Sequence, residues 1–195
     1  MAVFGFERSR AAYTADFVVC GGALLLLAVN AAFETPPHRR PEALVLMASG
    51  FGTWSLLEYL LHRFILHGVR PFQSWHEAHH ERPAALLGTP TWISASLIFG
   101  LVFVPVWQWA ALWMACAFTA GVLCGYLNYS FVHHAVHHWP AHSARGQRLK
   151  LWHARHHHGK DPAAVCFGVT STIWDRAFGS AQRPVARGAP SHEAP

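Results

Sequence analysis

The histidines of this chain are not scattered. All but His38, His142 and His192 of the sixteen fall in four short motifs: HRFILH (62–67), HEAHH (76–80), HHAVHH (133–138) and HARHHH (153–158). On a helix, positions i, i+3 and i+4 share a face, so His76, His79 and His80 form one convergent triplet. His153, His156 and His157 form another. His133 and His137 share a face and leave His134 turned away. His62 and His67 are five apart, about 140° around an α-helix, which suits flanking a centre better than chelating from one side. Neutral imidazole is a ligand for zinc, copper, iron and nickel, and one ion takes several. Ten convergent imidazoles are too many for one ion and about right for two. Without an ion, so many half-buried rings would repel one another when protonated and lack partners when neutral.

The donor set narrows the metal. Closed structural zinc sites are typically four-ligand sets rich in cysteine. Here Cys20, Cys116, Cys124 and Cys166 form no C-x-x-C pair, and the first three lie in apolar runs. They make neither a zinc site nor a disulfide framework. A redox metal fits better: two iron ions held by histidine beside apolar space suggest activation of O2 for attack on a lipid. Zinc is expected as a replacement in isolated protein. Glu58 stands four residues before His62 on the same helical face, so its carboxylate is expected to accept the outer N–H of a metal-bound imidazole. Asn128, Tyr129 and Asp175 are further candidates for orienting the imidazoles, whereas Trp75, Trp152 and Trp174 read as packing or interfacial residues.

The elements that must position these histidines are apolar. The chain is 52% hydrophobic and 13% charged, about half the charge of a soluble domain. Long stretches therefore never meet water, and an integral membrane protein follows. Residues 17–33 carry no charge, 43–61 carry only Glu58, and 91–132 carry none. A crossing takes roughly 20 residues, so the 42-residue block should fold as a hairpin, with a bend expected at PVWQW (105–109), where Pro105 disrupts the helix. The expected architecture is all-α: a four-helix membrane core, near 17–33, 43–62, 91–106 and 110–132, with a cytosolic His-rich helical cap holding a dimetal site. The first and third helices look short for full crossings. Residues 1–16 read as an N-terminal cytosolic segment, 17–180 as the membrane domain and 181–195 as a disordered tail. The first block has small residues suited to signal cleavage, but Glu7 and Asp16 upstream favour a retained helix.

Charge sets the orientation. The 34–42 loop holds only Arg39 and Arg40 of the fifteen Lys and Arg residues. Positive-inside then places both termini, the 62–90 loop and the metal site on the cytoplasmic side. The net charge of +5 carries no basic run that would track phosphates, so nucleic acid is not an expected partner. Two crossings separate the first and third His motifs, so all four motifs can meet beneath one membrane face.

Taken together, EYLLHRFILH, HEAHH, YSFVHHAVHH and WHARHHHGKDPAAVCFGVTSTIWDRAFGS resemble the fatty acid hydroxylase superfamily, over residues 50–180. The ending FGVTSTIWDRAFGS is most similar to the fatty acid 2-hydroxylase branch. The resemblance implies a membrane-embedded helical fold with a cytosolic di-iron site, and a monooxygenase that hydroxylates an acyl chain with O2 and external electrons. It implies His62, His67, His76, His79, His80, His133, His137, His153, His156 and His157 as ligands, with His138 at a family position beside them. Eukaryotic relatives often carry an N-terminal haem-binding cytochrome domain. Only sixteen residues precede the first apolar block here, so a separate electron donor of cytochrome or ferredoxin type is expected. Two alternatives stay open: a carotenoid or sterol hydroxylase or desaturase with the same histidines, and a His-rich membrane metal-binding protein.

Overall fold

A computed structural model describes residues 7–158 and 166–181. Ser9 opens the first helix, α1 (Arg10–Glu34), by accepting the Ala12 N–H on its hydroxyl at 3.2 Å. That cap starts the helix at Arg10 rather than at residue 17, so α1 is 25 residues long and not a short crossing. A single 3-10 turn, Pro37–Arg39, leads into α2 (Arg40–Leu60). The helix continues without a break into a π turn over Leu61–Leu66. The short helix α3 (Phe72–Glu81) follows outside the apolar blocks.

The third crossing corrects the expected bend. Helix α4 (Thr91–Ile98), a π turn at Phe99–Phe103 and α5 (Val104–Trp109) form one continuous rod, and Pro105 lies inside it. Proline cannot donate to the carbonyl one turn back. Here the preceding turn widens instead: the Val104 N–H reaches the Phe99 carbonyl, and the rod passes the proline. The reversal falls at the extended residues Ala110 and Ala111, and α6 (Leu112–His138) returns across the core. Helix α7 (Ala144–His158) and the short α8 (Ile173–Ala177) complete the described chain. Among the described residues, four helical stretches are thus long and apolar enough to cross a membrane, at Arg10–Glu34, Pro37–Leu66, Thr91–Trp109 and Leu112–His138. The expectation of an all-α, four-helix membrane core is borne out. Of the proposed tail, 182–195 lie outside the described residues.

Helix α6 is the centre of the bundle. Ala115, Ala117, Ala120 and Val122 are fully buried, while Leu25, Leu26, Leu44 and Leu101 on the surrounding helices point outward. Lipid solvates leucine as well as another helix does, so crossings associate by close contact at small residues. Gly121 lies directly against the Met47 carbonyl of α2, and Gly50 against the Phe118 carbonyl of α6. A Cβ at either glycine would overlap backbone, which cannot move aside like a side chain. One turn on, Gly125 leaves room for the Trp54 indole, which meets Tyr126 edge-on at 5.2 Å.

Replacing Gly121 with Val should therefore force α2 and α6 apart. The expected cost is about 3 kcal/mol, read as a lower thermal midpoint in detergent, whereas the same change at the open Gly22 should cost far less.

Candidate metal centre

The ten histidines arrive from four elements. The end of α2 brings His62 and His67, α3 brings His76, His79 and His80, α6 brings His133 and His137, and α7 brings His153, His156 and His157. They assemble as two groups of five. His62, His67, His76, His80 and His156 form one, and His79, His133, His137, His153 and His157 the other; in each group the ligand atoms lie within 4.8 Å of one another. The sequence triplets are therefore split. Helix α3 gives two rings to the first group and one to the second, and α7 does the reverse. The groups adjoin through His80 and His157, whose rings stack at 4.2 Å.

The π turn explains His62 and His67. A π turn closes its hydrogen bonds five residues apart, so a five-residue separation comes back to one face. The two rings stack at 5.4 Å rather than flanking a centre from opposite sides.

Inside each group, nitrogen faces nitrogen. His76 Nε2 lies 3.0 Å from Nε2 of both His62 and His80, and His156 Nε2 lies 3.1 Å from His80 and 3.2 Å from His67. In the second group His153 Nε2 is 2.8 Å from His137 and 3.1 Å from His157. A neutral imidazole has one N–H, so it cannot satisfy two such neighbours and an outer partner at once. His62 makes the point: its Nδ1 lies 2.6 Å from the Phe167 carbonyl, which only accepts, so the proton is on Nδ1 and Nε2 presents a lone pair inward. Both ring nitrogens of the buried His79 lack a hydrogen-bond partner. Two nitrogens bound at right angles to one cation, each about 2.1 Å away, are about 3.0 Å apart. The donor spacing fits a metal ion in each group.

Glu58 does not reach His62. Although the two share a helical face, the carboxylate is taken by the chain beyond α7: it accepts the Val169 and Thr170 N–H groups at 2.8 Å and the Thr170 hydroxyl at 2.6 Å. Asp175, fully buried, holds the same segment from the other side, accepting from the N–H groups of Phe167 and Gly168 and from the Trp152 indole and Ser180 hydroxyl. Tyr59 extends the network on the Asp175 side, receiving a bond from Arg63 and sharing one with Ser180. The two acids thus fix the carbonyl of Phe167, and that carbonyl fixes the tautomer of His62. Sequence spacing could not expose this, because the partner of His62 is a backbone atom 105 residues away.

The remaining candidates divide. Tyr129 stacks parallel on His133 at 5.6 Å. Asn128 lies about 140° round α6 from His133 at about 100° per residue, which turns it from the cluster. His138 is in neither group; it stacks on His134 at 4.4 Å, and His134 in turn shares a hydrogen bond with Tyr13 of α1. That face of α6 serves helix packing. Trp152 and Trp174 donate to Asp175 and Ser55, as packing residues would.

Burial, and then the neighbouring imidazoles, hold these rings neutral. His79 is pushed down to about 3, and His76 and His153 are also displaced downward; burial and His67 take His80 to about 4. Unfolded histidine titrates near 6.5. Below that pH the unfolded chain takes up protons that the folded chain refuses, so stability is full above about 6.5 and is lost as pH falls toward the folded values. Metal-free protein in detergent should accordingly melt at progressively lower temperature from pH 7 to pH 5. Glu58→Ala strands three donors and should cost about 3 kcal/mol or more in chemical unfolding, with Glu58→Gln costing less.

The fatty acid hydroxylase family profile matches residues 47–180, which hold all ten histidines. The dihydroceramide fatty acyl 2-hydroxylase FAH2 of Arabidopsis thaliana is 31% identical over 72% of this chain. The ceramide very long chain fatty acid hydroxylase scs7 of Schizosaccharomyces pombe is 30% identical over 71%, and the human fatty acid 2-hydroxylase 30% over 64%. The chain spans 62%, 42% and 36% of those proteins, respectively. A solved structure described as "Full length scs7p (only hydroxylase domain visible)" superposes with a TM-score of 0.74 at 25% identity, covering 90% of this chain and 68% of that one. A match across the whole histidine-bearing core, shared with relatives at 30% identity or more, makes this chain a member of the fatty acid hydroxylase family.

Proposed function

We propose that this chain hydroxylates the acyl chain of a membrane lipid or fatty acid at C2, with two iron ions, O2 and electrons from a separate protein. The observation that carries the reading is the pairing of two five-imidazole groups, stacked edge to edge at the base of an apolar four-helix core. Two of the relatives named above, the Arabidopsis thaliana and human proteins, are named as 2-hydroxylases, which supports that position. Iron in such a site would supply redox chemistry, reducing O2 with external electrons and placing one of its oxygen atoms in a C–H bond.

The chain's own residues do the rest. Imidazoles that stay neutral keep their lone pairs available at physiological pH. Phe167, held by Asp175 at its own N–H and by Glu58 through Val169 and Thr170, keeps the Nε2 of His62 turned inward. Buried apolar residues of α1, α2 and α6 keep water from the membrane side of the site. No nucleophilic side chain is required. The concentration of Lys and Arg in the termini and the 62–90 loop supports a cytoplasmic position for both metal groups. There a soluble or membrane-bound donor of cytochrome or ferredoxin type could reach them.

Mass spectrometry of host lipids with and without the expressed chain tests this directly. The expected product is 2-hydroxy acyl chains that appear only with the wild-type protein. Purified protein should hold two metal ions per chain. His79→Ala and His156→Ala, one from each group, should each hold fewer and give no product. Full hydroxylation by either variant would end the proposal.

A further inference from the structure

Helix α1 lies upstream of the matched family region, yet it carries a carboxylate into the membrane core. Asp16 is only 6% exposed. Its Oδ2 accepts the Tyr126 hydroxyl at 2.7 Å, while Oδ1 is buried with no hydrogen-bond partner. An ionisable group inside a crossing helix is costly, and it persists where it serves a site.

A cavity stands beside it. Its volume is about 120 Å³, and Asp16, Tyr126 and Tyr129 line it together with His76, His79 and His133. The volume is about that of four waters, too small for a lipid and suited to its polar end. C2 hydroxylation demands such a subsite close by, because the reacting carbon is bonded directly to the carbonyl. Arg8 also borders the cavity and would ordinarily draw a carboxylate. Its guanidinium is already engaged, however, with Thr91 Oγ1 at 2.6 Å, the Ala12 carbonyl at 2.7 Å and the Thr89 carbonyl at 3.3 Å.

We infer that Asp16 selects the polar end of the substrate: Oδ1 accepts a hydrogen bond from an N–H or O–H of a neutral acyl lipid, and the carboxylate repels a free fatty acid. Tyr126 orients the carboxylate, leaving one oxygen for the ligand. The inference rests on the hydroxylase reading, which puts the polar end of an acyl lipid beside the histidines.

The test is binding, read without turnover. Full-length, metal-loaded protein in detergent is titrated with three probes that share a sixteen-carbon acyl chain: N-palmitoylethanolamine, which is neutral and carries donors; methyl palmitate, neutral without donors; and palmitate, anionic. Wild type should bind the amide about tenfold or more tightly than the ester, the usual worth of a hydrogen bond to a charged group, and should bind palmitate worst. Asp16→Leu should bind amide and ester alike. Asp16→Asn keeps an acceptor oxygen but loses the charge, so its palmitate affinity should rise about tenfold, and this variant carries the test if Asp16→Leu does not fold. An unchanged order of preference in Asp16→Asn, or wild type binding palmitate as tightly as the amide, overturns the role of Asp16. Selective binding by wild type without any hydroxylated product would instead overturn the hydroxylase reading and leave the role of Asp16 standing.

Discussion

Imidazole nitrogens about 3 Å apart, with lone pairs turned inward, are the constraint on which the rest of this structure depends. Such an arrangement is unfavourable unless something positive sits among the lone pairs, and protonation cannot provide it, because burial and mutual repulsion hold the rings neutral. Cation binding and folding are therefore coupled: the fold gathers the donors, and the cation compensates for gathering them. The bundle can tolerate this because its stability lies elsewhere, in the close backbone contact of α2 and α6 at Gly50 and Gly121.

Two departures from regular helix serve that gathering. The π turn at Leu61–Leu66 brings His62 and His67 onto one face, where an α-helix would leave them far apart in angle. The segment beyond α7 wraps back to place the Phe167 carbonyl against His62, and it is held by two buried acids rather than by secondary structure. Both acids spend their bonds on backbone and neighbouring side chains and touch no imidazole. They work one step removed from the rings, by fixing the atom that fixes the proton.

The membrane side of the site is asymmetric. Lipid-facing leucines cover the outside of α1, α2 and the α4–α5 rod, while the inner face of α1 turns Tyr13 and Asp16 toward α6. A substrate approaching from the bilayer thus meets apolar surface before it reaches the polar groups beside the histidines. That order suits a long-chain molecule with a polar end whose reacting carbon lies next to that end.

Much of this was legible in the amino-acid sequence, because it rests on residue type and local spacing. Charge-free runs dictate crossings, since a backbone in lipid must satisfy its own hydrogen bonds, and histidines at i, i+3 and i+4 dictate convergent faces. The ten histidines could be picked out on those grounds together with the family resemblance. Which five rings share a centre was not legible, since α3 and α7 each divide their rings between the groups, and only the relative placement of four elements decides that division. The chain likewise hid the partner of Glu58 and the reversal at Ala110 rather than Pro105. Each depends on what a distant backbone or a widened turn offers, and spacing along the chain carries no information about that. Asp16 was hidden too: along the chain it reads as a charge in a cytosolic segment upstream of the first apolar run, and only the helix that begins at Arg10 carries it into the core beside the cavity.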